Sequence, residues 1–266
     1  MTHMFKALIK EILPPFISNG LRSISRNRNR WTGNYPDWAS AVAASSGYDT
    51  KVIFNIVRKA AAAVRDGEAL WERDSTCYQK EEFNWQLLAC LMTVASRTGG
   101  VLHVLDFGGA LGSTYMQHRR IISGLSECSW NVVENSQIVT CGKMEFQNEV
   151  LEFHDGIEQC FAAKPVNVVL FSGVLQYVEN PYAVLEQIIK QNPTAIIIDR
   201  TPFAKRNERI TIQHVPSSIY HANYACRFLD QGRVEALLAR FGSLTPWFAS
   251  PIDPPNFRGV MSLRYA

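Results

Sequence analysis

One segment, residues 101–112, constrains the fold more than any other part of the chain. Its first seven residues, Val101 to Phe107, are mostly apolar and predict a strand buried on both faces. Glycines follow at positions 108, 109 and 112, and a helical pattern begins near Ser113. A strand, a glycine-rich turn and a helix in this order are typical of α/β folds that bind a ligand at the carboxyl edge of a parallel sheet.

The remainder of residues 99–266 repeats this alternation of short apolar runs and helical patterns. We therefore predict an α/β, Rossmann-like fold with a mostly parallel sheet. An alternating segment at 210–215 predicts an extra strand, and the segments 243–248 and 259–265 predict a closing antiparallel pair. The further parallel strands are predicted at 130–133, 150–153, 166–171 and 195–198.

The chain before residue 99 has a different character. Residues 1–30 predict an N-terminal helix and a basic connector, and residues 31–98 predict a helical cap with helix starts at Asp37, near Asp49 and near Phe83. The predicted domains are therefore 1–30, 31–98 and 99–266, the last with an insert at about 201–229. The amphipathic, basic segment 1–30 predicts either peripheral contact with the inner face of a membrane or packing on its own domain.

Composition excludes several classes of protein. Only 19% of the residues are charged and the net charge is +3, which argues against a coiled coil and against a nucleic-acid-binding protein. The six cysteines form no CxxC pair and do not cluster with the histidines, so we expect no metal site. Scattered cysteines without a secretory signal predict a cytoplasmic protein, and no apolar run is long enough for a membrane span. The oligomeric state is left open.

The chemistry of the glycine turn distinguishes between two nucleotide ligands. A dinucleotide-binding turn has the pattern G-x-G-x-x-G, whereas Ala110 occupies the second glycine position of that pattern here. Asp106 would repel a pyrophosphate but suits the ammonium group of a methionine-type ligand. The turn therefore favours S-adenosylmethionine as the cofactor, held by Asp106, Gly108, Gly109 and Gly112; alternatively, Asp106 only caps the next helix.

Polar side chains follow the next strands in the predicted order. Glu134 comes directly after the second strand, where an acid can accept hydrogen bonds from both ribose hydroxyls. His154 and Asp155 follow the third strand, where they either meet the adenine or form an ordinary turn. Ser172 follows the fourth strand and is predicted to contact the cofactor, and Tyr177 lies just beyond it as an acceptor-binding or core residue.

These motifs resemble those of class I S-adenosylmethionine-dependent methyltransferases, and more narrowly those of a bacterial group called the LIC12133-like family. The resemblance covers roughly residues 31–225. It implies a class I fold, methyl transfer and S-adenosylmethionine as cofactor, and it implies little about the acceptor. The matching stretches are residues 31–35, 47–49, 72–75 (Glu-Arg-Asp-Ser), 105–109, 132–134, 172–177 and 199–202 (Asp-Arg-Thr-Pro).

The acceptor side is expected near the fifth strand. Asp199 is a candidate base and Arg200 a candidate clamp for an anionic acceptor, unless the two form a structural pair. His214 is a second candidate base, although a lone histidine on an alternating strand is more often structural. Tyr220 and Tyr224, with His221 between them, are candidates for the acceptor pocket.

The cap contributes one further candidate. Arg73, in the Glu-Arg-Asp-Ser stretch, is predicted to reach the carboxylate of the cofactor; the alternative is a surface cluster of ion pairs. The leading hypothesis is a methyltransferase acting on oxygen or nitrogen of a small molecule such as a sugar or glycan precursor, which also fits a role in polysaccharide biosynthesis. The alternatives are an NAD-dependent oxidoreductase and a non-catalytic, nucleotide-binding scaffold protein.

Overall fold

The computed structural model describes residues 30–45, 50–215, 222–250 and 253–265. Its helices are α1 (Trp38–Ala44), α2 (Thr50–Arg65), α3 (Trp85–Arg97), α4 (Ser113–Ile122), α5 (Ser136–Glu145), α6 (Ile157–Ala163), α7 (Pro181–Gln191) and α8 (Gln231–Phe241). Its strands are β1 (Arg30–Tyr35), β2 (Trp71–Arg73), β3 (Thr76–Tyr78), β4 (Val101–Phe107), β5 (Glu127–Val133), β6 (Leu151–His154), β7 (Val168–Ser172), β8 (Ala195–Ala204), β9 (Arg209–His214), β10 (Asn223–Asp230), β11 (Gly242–Leu244), β12 (Phe248–Ala249) and β13 (Phe257–Arg264).

Five parallel strands form the centre of the main sheet, in the order β6-β5-β4-β7-β8. The order reverses at β4, so the carboxyl ends of β4 and β7 flank the crevice in which α/β sheets bind their ligands. Strand β13 closes the sheet by pairing antiparallel with β8, and β11 and β12 pair with β13. The predicted fold class, a mostly parallel Rossmann-like sheet with a closing antiparallel pair, is confirmed.

Helices cover both faces of this sheet, which explains why its strands are apolar throughout. One core cluster joins α3, α4 and α5 to residues such as Val104 and Val132. The other cluster joins α6, α7 and α8 to residues such as Leu105 and Val169. Val104 and Leu105 belong to opposite clusters because successive side chains of a strand point to opposite faces.

Strand β8 is longer than the sequence predicts and contains a bulge. Two residues of β8, Asp199 and Arg200, lie opposite the single residue Gly259 of β13, and Arg200 has a left-handed φ of 51°. The predicted end of this strand at residue 198 is therefore wrong. Beyond the bulge, residues 203 and 204 of β8 pair in parallel with β10, which leads to β9 and β1. The bulge re-aims the side chains at this point of the sheet.

The expectation of a purely helical cap at 31–98 is also partly wrong. The three predicted helices are present as α1, α2 and α3. However, residues 30–35 form β1 and extend the main sheet through β9. The sequence did not predict this strand because Gly33, Asn34 and Pro36 are typical of turns. Residues 71–78 form the hairpin β2–β3. The predicted domain boundaries remain predictions.

The predicted N-terminal helix and most of the basic connector lie outside the described residues, as do Tyr220 and His221. None of the helices in the described ranges combines the length and the apolar character needed to cross a lipid bilayer.

Candidate functional site

A cavity of about 810 Å³ opens at the carboxyl ends of β4 and β7. The glycine turn forms its floor, the hairpin β2–β3 covers it, and β9, β10 and the segment before β13 form the far wall. Seven of the predicted site residues line it. They are Arg73, Gly108, Gly109, Ser172, Tyr177, Arg200 and Tyr224.

The glycine turn has the backbone that its residues predict. Gly108 and Gly112 have φ of 69° and 88°, and Ala110 adopts a left-handed φ of 50° in spite of its Cβ. Gly112 does not line the cavity: a Cβ at that position would lie 2.8 Å from Leu151, so this glycine allows α4 to pack closely on the sheet. The structure gives Gly112 a role in packing, and its contact with the cofactor stays a prediction.

Asp106 lies beneath the turn instead of facing the cavity. Its side chain is 1% exposed and its Oδ2 accepts a hydrogen bond of 3.0 Å from Trp130 Nε1. Burial raises the pKa of Asp106 to about 7, although the Trp130 hydrogen bond opposes the shift. Asp106 therefore supports the turn from below, and direct contact with the ammonium group of a ligand is not what this geometry provides.

Glu134, His154 and Asp155 lie at the carboxyl ends of β5 and β6, along the same edge of the sheet but outside the lining of the cavity. Glu134 Oε2 accepts hydrogen bonds from the backbone and the side chain of Asn135. Burial raises the pKa of Glu134, and its hydrogen bonds, including one from the Ala110 backbone, oppose that shift. Glu134 therefore adjoins the glycine turn, and its predicted contact with a ribose stays a prediction.

The two candidates for the adenine end are already engaged with protein groups. His154 Nε2 lies 3.2 Å from Asn131 Oδ1, and burial lowers the pKa of His154. Asp155 is exposed, and its backbone N–H donates to Gln159 while its carboxylate lies 3.8 Å from Lys143 Nζ. The structure does not bring these two residues into the cavity.

The hairpin β2–β3 carries the Glu-Arg-Asp-Ser stretch to the roof of the cavity. Its two turn residues, Asp74 and Ser75, have positive φ values of 48° and 66°, as a two-residue hairpin turn with right-handed twist requires. Glu72 Oε2 accepts a hydrogen bond of 3.1 Å from the Ser75 backbone, and Glu72 Oε1 accepts one from the Ser113 hydroxyl at the start of α4. These contacts tie the hairpin to the glycine turn.

Arg73 lines the cavity and is half-buried. Its guanidinium lies over the Trp71 ring, 5.6 Å from the centroid, and makes no ion pair or hydrogen bond with any described residue. Burial and the nearby Arg200 lower the pKa of Arg73. A partly desolvated guanidinium without an anion beside a cavity is a group prepared to bind an anionic ligand.

Arg200, in contrast, is paired with two protein carboxylates. Its Nη2 lies 2.9 Å from Asp74 of the hairpin, and its Nε lies 3.0 Å from Asp253 in the segment before β13. Burial alone would lower the pKa of Arg200, but the two carboxylates raise it above its usual value. The predicted clamp for an anionic acceptor is therefore a link between three segments of the chain.

Asp199 is fully buried and does not line the cavity. Its Oδ2 accepts hydrogen bonds from Asn84 Nδ2 at 2.9 Å and from Ser172 Oγ at 3.2 Å. Burial raises its pKa, and Arg200 opposes the shift. Because its carboxylate has no path to an acceptor, Asp199 holds the surrounding residues in position, and the structure does not support the predicted role as a base.

His118 is a pocket residue that the sequence did not reveal. Its Nδ1 lies 2.7 Å from the Thr114 carbonyl and its Nε2 lies 3.1 Å from the Asn84 backbone nitrogen. These partners require a neutral ring that donates through Nδ1 and accepts through Nε2. Burial lowers the pKa of His118 to about 4, in agreement with the neutral form.

The far wall contains two residues of the predicted acceptor side, Tyr177 and Tyr224. Tyr177 donates a hydrogen bond of 3.0 Å to Gln213 Oε1, and its ring meets Tyr224 edge to face with centroids 5.1 Å apart. His214 is next to Gln213 on β9, so its side chain points to the opposite face, where it lies 2.8 Å from Thr32 Oγ1. The structure therefore does not bring His214 into the cavity, and its role as a base stays a prediction.

Several residues of the site went unnoticed in the sequence. Asn84 had a visible signal, since an asparagine directly before a helical pattern is a typical N-cap, and its Oδ1 indeed accepts from Leu87 N. Glu72 and Asp74 lie in the stretch that was singled out. Asp253 and Gln213 had no local signal, because tertiary pairing alone brings them to the cavity.

Among the described residues, no cluster of three or more His, Cys, Asp or Glu side chains is placed to hold a metal ion.

Comparison with known proteins gives similarity to solved structures alone: no family model and no curated protein matches the chain. One similar structure is CalS10, an amino pentose methyltransferase from Micromonospora echinaspora, with 8% identity, 78% of this chain and 96% of that chain covered, and a TM-score of 0.49. A second is the sugar N-methyltransferase KedS8 from a Streptoalloteichus species, with 11% identity, coverage of 70% and 89%, and a TM-score of 0.48.

A third is the N-terminal domain of EvdMO1 in the presence of S-adenosylhomocysteine and D-fucose, with 13% identity, coverage of 82% and 98%, and a TM-score of 0.48. Membership of the LIC12133-like family stays a prediction. The roles of individual residues rest on the geometry described above.

Proposed function

We propose that the chain is an S-adenosylmethionine-dependent methyltransferase that acts on a small-molecule acceptor. The observation that carries the proposal is the junction of the glycine turn with Glu134: the acid after β5 lies against Ala110, beside the mouth of the parallel sheet. A carboxylate there can accept both ribose hydroxyls while the turn admits the rest of the cofactor. When bound, S-adenosylmethionine supplies an electrophilic methyl group.

The residues around the turn favour this cofactor over a dinucleotide. Ala110 keeps its Cβ where the dinucleotide pattern has a glycine, and Asp106 places a carboxyl group directly under Gly109. Either feature disfavours a pyrophosphate at the start of α4. Arg73, which has no ion pair with the described residues, supports the prediction that it binds the carboxylate of a methionine-type ligand.

The remaining volume supports an enclosed, polar acceptor. The far wall combines the aromatic rings of Tyr177 and Tyr224 with the amide of Gln213, a combination suited to a hydroxylated molecule such as a sugar or glycan precursor. Methylation of oxygen or nitrogen then depends on positioning, because Asp199 is buried and His118 uses both ring nitrogens within the protein.

Calorimetric titration of the full chain tests the cofactor. We expect S-adenosylmethionine and S-adenosylhomocysteine to bind and NAD and NADP not to bind. Arg73→Ala is expected to weaken S-adenosylhomocysteine severalfold. Selective binding of NAD would replace the proposal with an oxidoreductase, and the absence of binding by all four ligands would favour a scaffold.

Transfer is tested separately, with S-adenosylmethionine carrying an isotopic label in its methyl group and with pools of sugars and sugar nucleotides as acceptors. Transfer of the label from S-adenosylmethionine to a compound of the acceptor pool is the expected result. A chain that binds the cofactor but moves no label to any pool would count against the proposed acceptor class.

A further inference from the structure

We propose that the hairpin β2–β3 holds a subsite for the ammonium group of an α-amino acid, with the Glu72 carboxylate as the hydrogen-bond acceptor. This inference rests on the proposed function, since the amino acid in question is the methionine end of the cofactor. Glu72 and Arg73 are neighbours at the roof of the cavity. Together they present one negative and one positive group to a ligand that carries one of each.

Glu72 faces the glycine turn although it is almost fully buried. Its residue is 7% exposed, yet it lines the cavity together with Gly109 and Ser113. Each carboxylate oxygen accepts one protein hydrogen bond, Oε1 from the Ser113 hydroxyl and Oε2 from the Ser75 backbone. A carboxylate has about four acceptor positions, so room remains for further N–H donors.

The other acids that line the cavity in the described structure are less suited to an ammonium group. Asp74 and Asp253 are paired with Arg200. Glu82 is exposed to solvent. Asp106, the candidate that the sequence suggested, is shielded from the cavity by Gly109. Glu72 is therefore the lining carboxylate that combines burial, contact with the start of α4 and unused acceptor capacity.

The burial of Glu72 also indicates that a cationic partner would be favourable. Desolvation raises the pKa of Glu72, the Ser113 hydrogen bond opposes the shift, and Asp74 and Arg200 exert opposite Coulombic effects on it. An ammonium group in hydrogen-bond contact would stabilise the ionised carboxylate and offset part of the cost of burying it. A ligand without an amino group would leave this cost unrelieved.

The ligand comparison that tests the inference uses four compounds and three proteins. The compounds are S-adenosylhomocysteine, its deaminated analogue, its decarboxylated analogue and methylthioadenosine, which lacks the whole amino acid end. The proteins are the wild type, Glu72→Gln and Arg73→Met. Calorimetry gives the Kd of each pair, and thermal unfolding without ligand checks that each variant is folded.

We expect Glu72→Gln to weaken the two ligands that carry the amino group by about 10- to 100-fold. The deaminated analogue and methylthioadenosine should change by less than about twofold. Arg73→Met should show the complementary pattern, weakening the two ligands that carry a carboxylate. Glutamine keeps the size of Glu72, and its amide can accept from the Ser75 backbone and donate to the Ser113 hydroxyl, so both contacts can be retained while the charge is lost.

Two results would overturn the inference: an equal loss of affinity for all four ligands in Glu72→Gln, which indicates a structural role, or no loss for any of them. Ser113→Ala serves as the matched control, because it removes the bond between hairpin and helix and keeps the charge of Glu72. If Glu72→Gln does not fold, Glu72→Asp takes its place, and the wild type is tested for a preference for the ligands that carry the amino group. Equal affinity of the wild type for S-adenosylhomocysteine and its deaminated analogue rejects the subsite. A wild type that binds neither S-adenosylhomocysteine nor methylthioadenosine would instead reject the proposed function.

Discussion

The carboxylate of Asp106 lies directly beneath the backbone of Gly109. A Cβ atom at position 109 would come within 2.5 Å of Asp106 Oδ2. Gly109 does not need a left-handed backbone, so the constraint at this position is the contact alone. The floor of the cavity therefore depends on having a glycine at position 109, because the buried Asp106 leaves no room there for a side chain.

Gly109→Ala should displace the turn because the buried Asp106 cannot move away. We expect a loss of about 1–3 kcal/mol in the free energy of unfolding and a weakening of S-adenosylhomocysteine binding by about tenfold or more. Chemical denaturation and calorimetry measure the two effects. Gly156→Ala is the control, since a Cβ at Gly156 meets nothing within 4 Å; equal effects of the two substitutions would contradict the role of the contact.

Asp106 should make the stability of the protein depend on pH. Its pKa is raised from 3.8 to about 7 in the folded state, so the folded protein binds more protons than the unfolded chain between these values. The stabilisation is therefore present below pH 4 and is lost as the pH rises towards 7, by at most on the order of 4 kcal/mol. In Asp106→Asn, urea titrations across this range should show a smaller decline with pH than the wild type.

The wild type must be compared with Asp106→Asn because Glu72 and Asp199 also have raised pKa values. These two groups make the stability of both proteins decline with pH in the same direction. A decline of the same size in Asp106→Asn would show that Asp106 does not titrate in this range.

The sequence predicted the floor of the site far better than its roof. The turn at 108–112, Glu134 and Ser172 all follow strands whose apolar runs are local signals, and parallel strands bring their carboxyl ends to one edge. The hairpin at 71–78 was missed, because strands of three residues carry no readable periodicity. The role of Asp106 was misjudged, because a motif places a residue on a turn without showing whether it lies above or below the backbone.

Arg200 should be required for the closed position of the hairpin. Arg200→Met leaves Asp253 buried without its cation and frees Asp74, so we expect a loss of about 2–4 kcal/mol in the free energy of unfolding. The same variant should release the hairpin and weaken S-adenosylhomocysteine binding. Limited proteolysis between residues 71 and 78 and calorimetry provide the two measurements.

The matched control is Asp74→Asn. The Asp74 side chain is 67% exposed, so the loss of its pair with Arg200 should cost less than about 1 kcal/mol. If Arg200→Met were no more harmful than Asp74→Asn, the link to Asp253 would not contribute to the site.

Glu134 should report on the ribose end of the cofactor. Glu134→Ala removes the acceptor that we propose for both ribose hydroxyls, and we expect the affinity for S-adenosylhomocysteine to fall by about 10- to 100-fold. Methylthioadenosine should lose as much, because it contains the same ribose. Calorimetry with both ligands checks the prediction, and Asp155→Ala, an exposed acid at the next strand end, is the control. A loss confined to S-adenosylhomocysteine would assign Glu134 to another part of the ligand.

The acceptor side was harder to predict because its residues are brought together across the chain. Gln213 meets Tyr177 only through the pairing of β9 with β10, and Asp253 meets Arg200 only through the loop before β13. His214 was chosen and Gln213 overlooked because the sequence shows alternation but not which face of a strand is turned to the cavity. Packing against α1 decides that face, through the contact of Ile210 with the cluster that contains Ala41.

The bulge at Asp199 and Arg200 gives one strand two sets of neighbours. Strand β13 pairs with β8 on both sides of the bulge. On its other edge, β8 pairs with β7 up to Asp199 and with β10 at residues 203 and 204, and β10 leads to β9 and β1. The strands that we assign to the cofactor and those that we assign to the acceptor therefore pair with successive parts of the same strand, β8. Changes in length or sequence within β9, β10 and β1 can reshape the acceptor wall without altering the register of β4, β5 and β7, so the chemistry of the donor and the choice of acceptor are free to diverge independently.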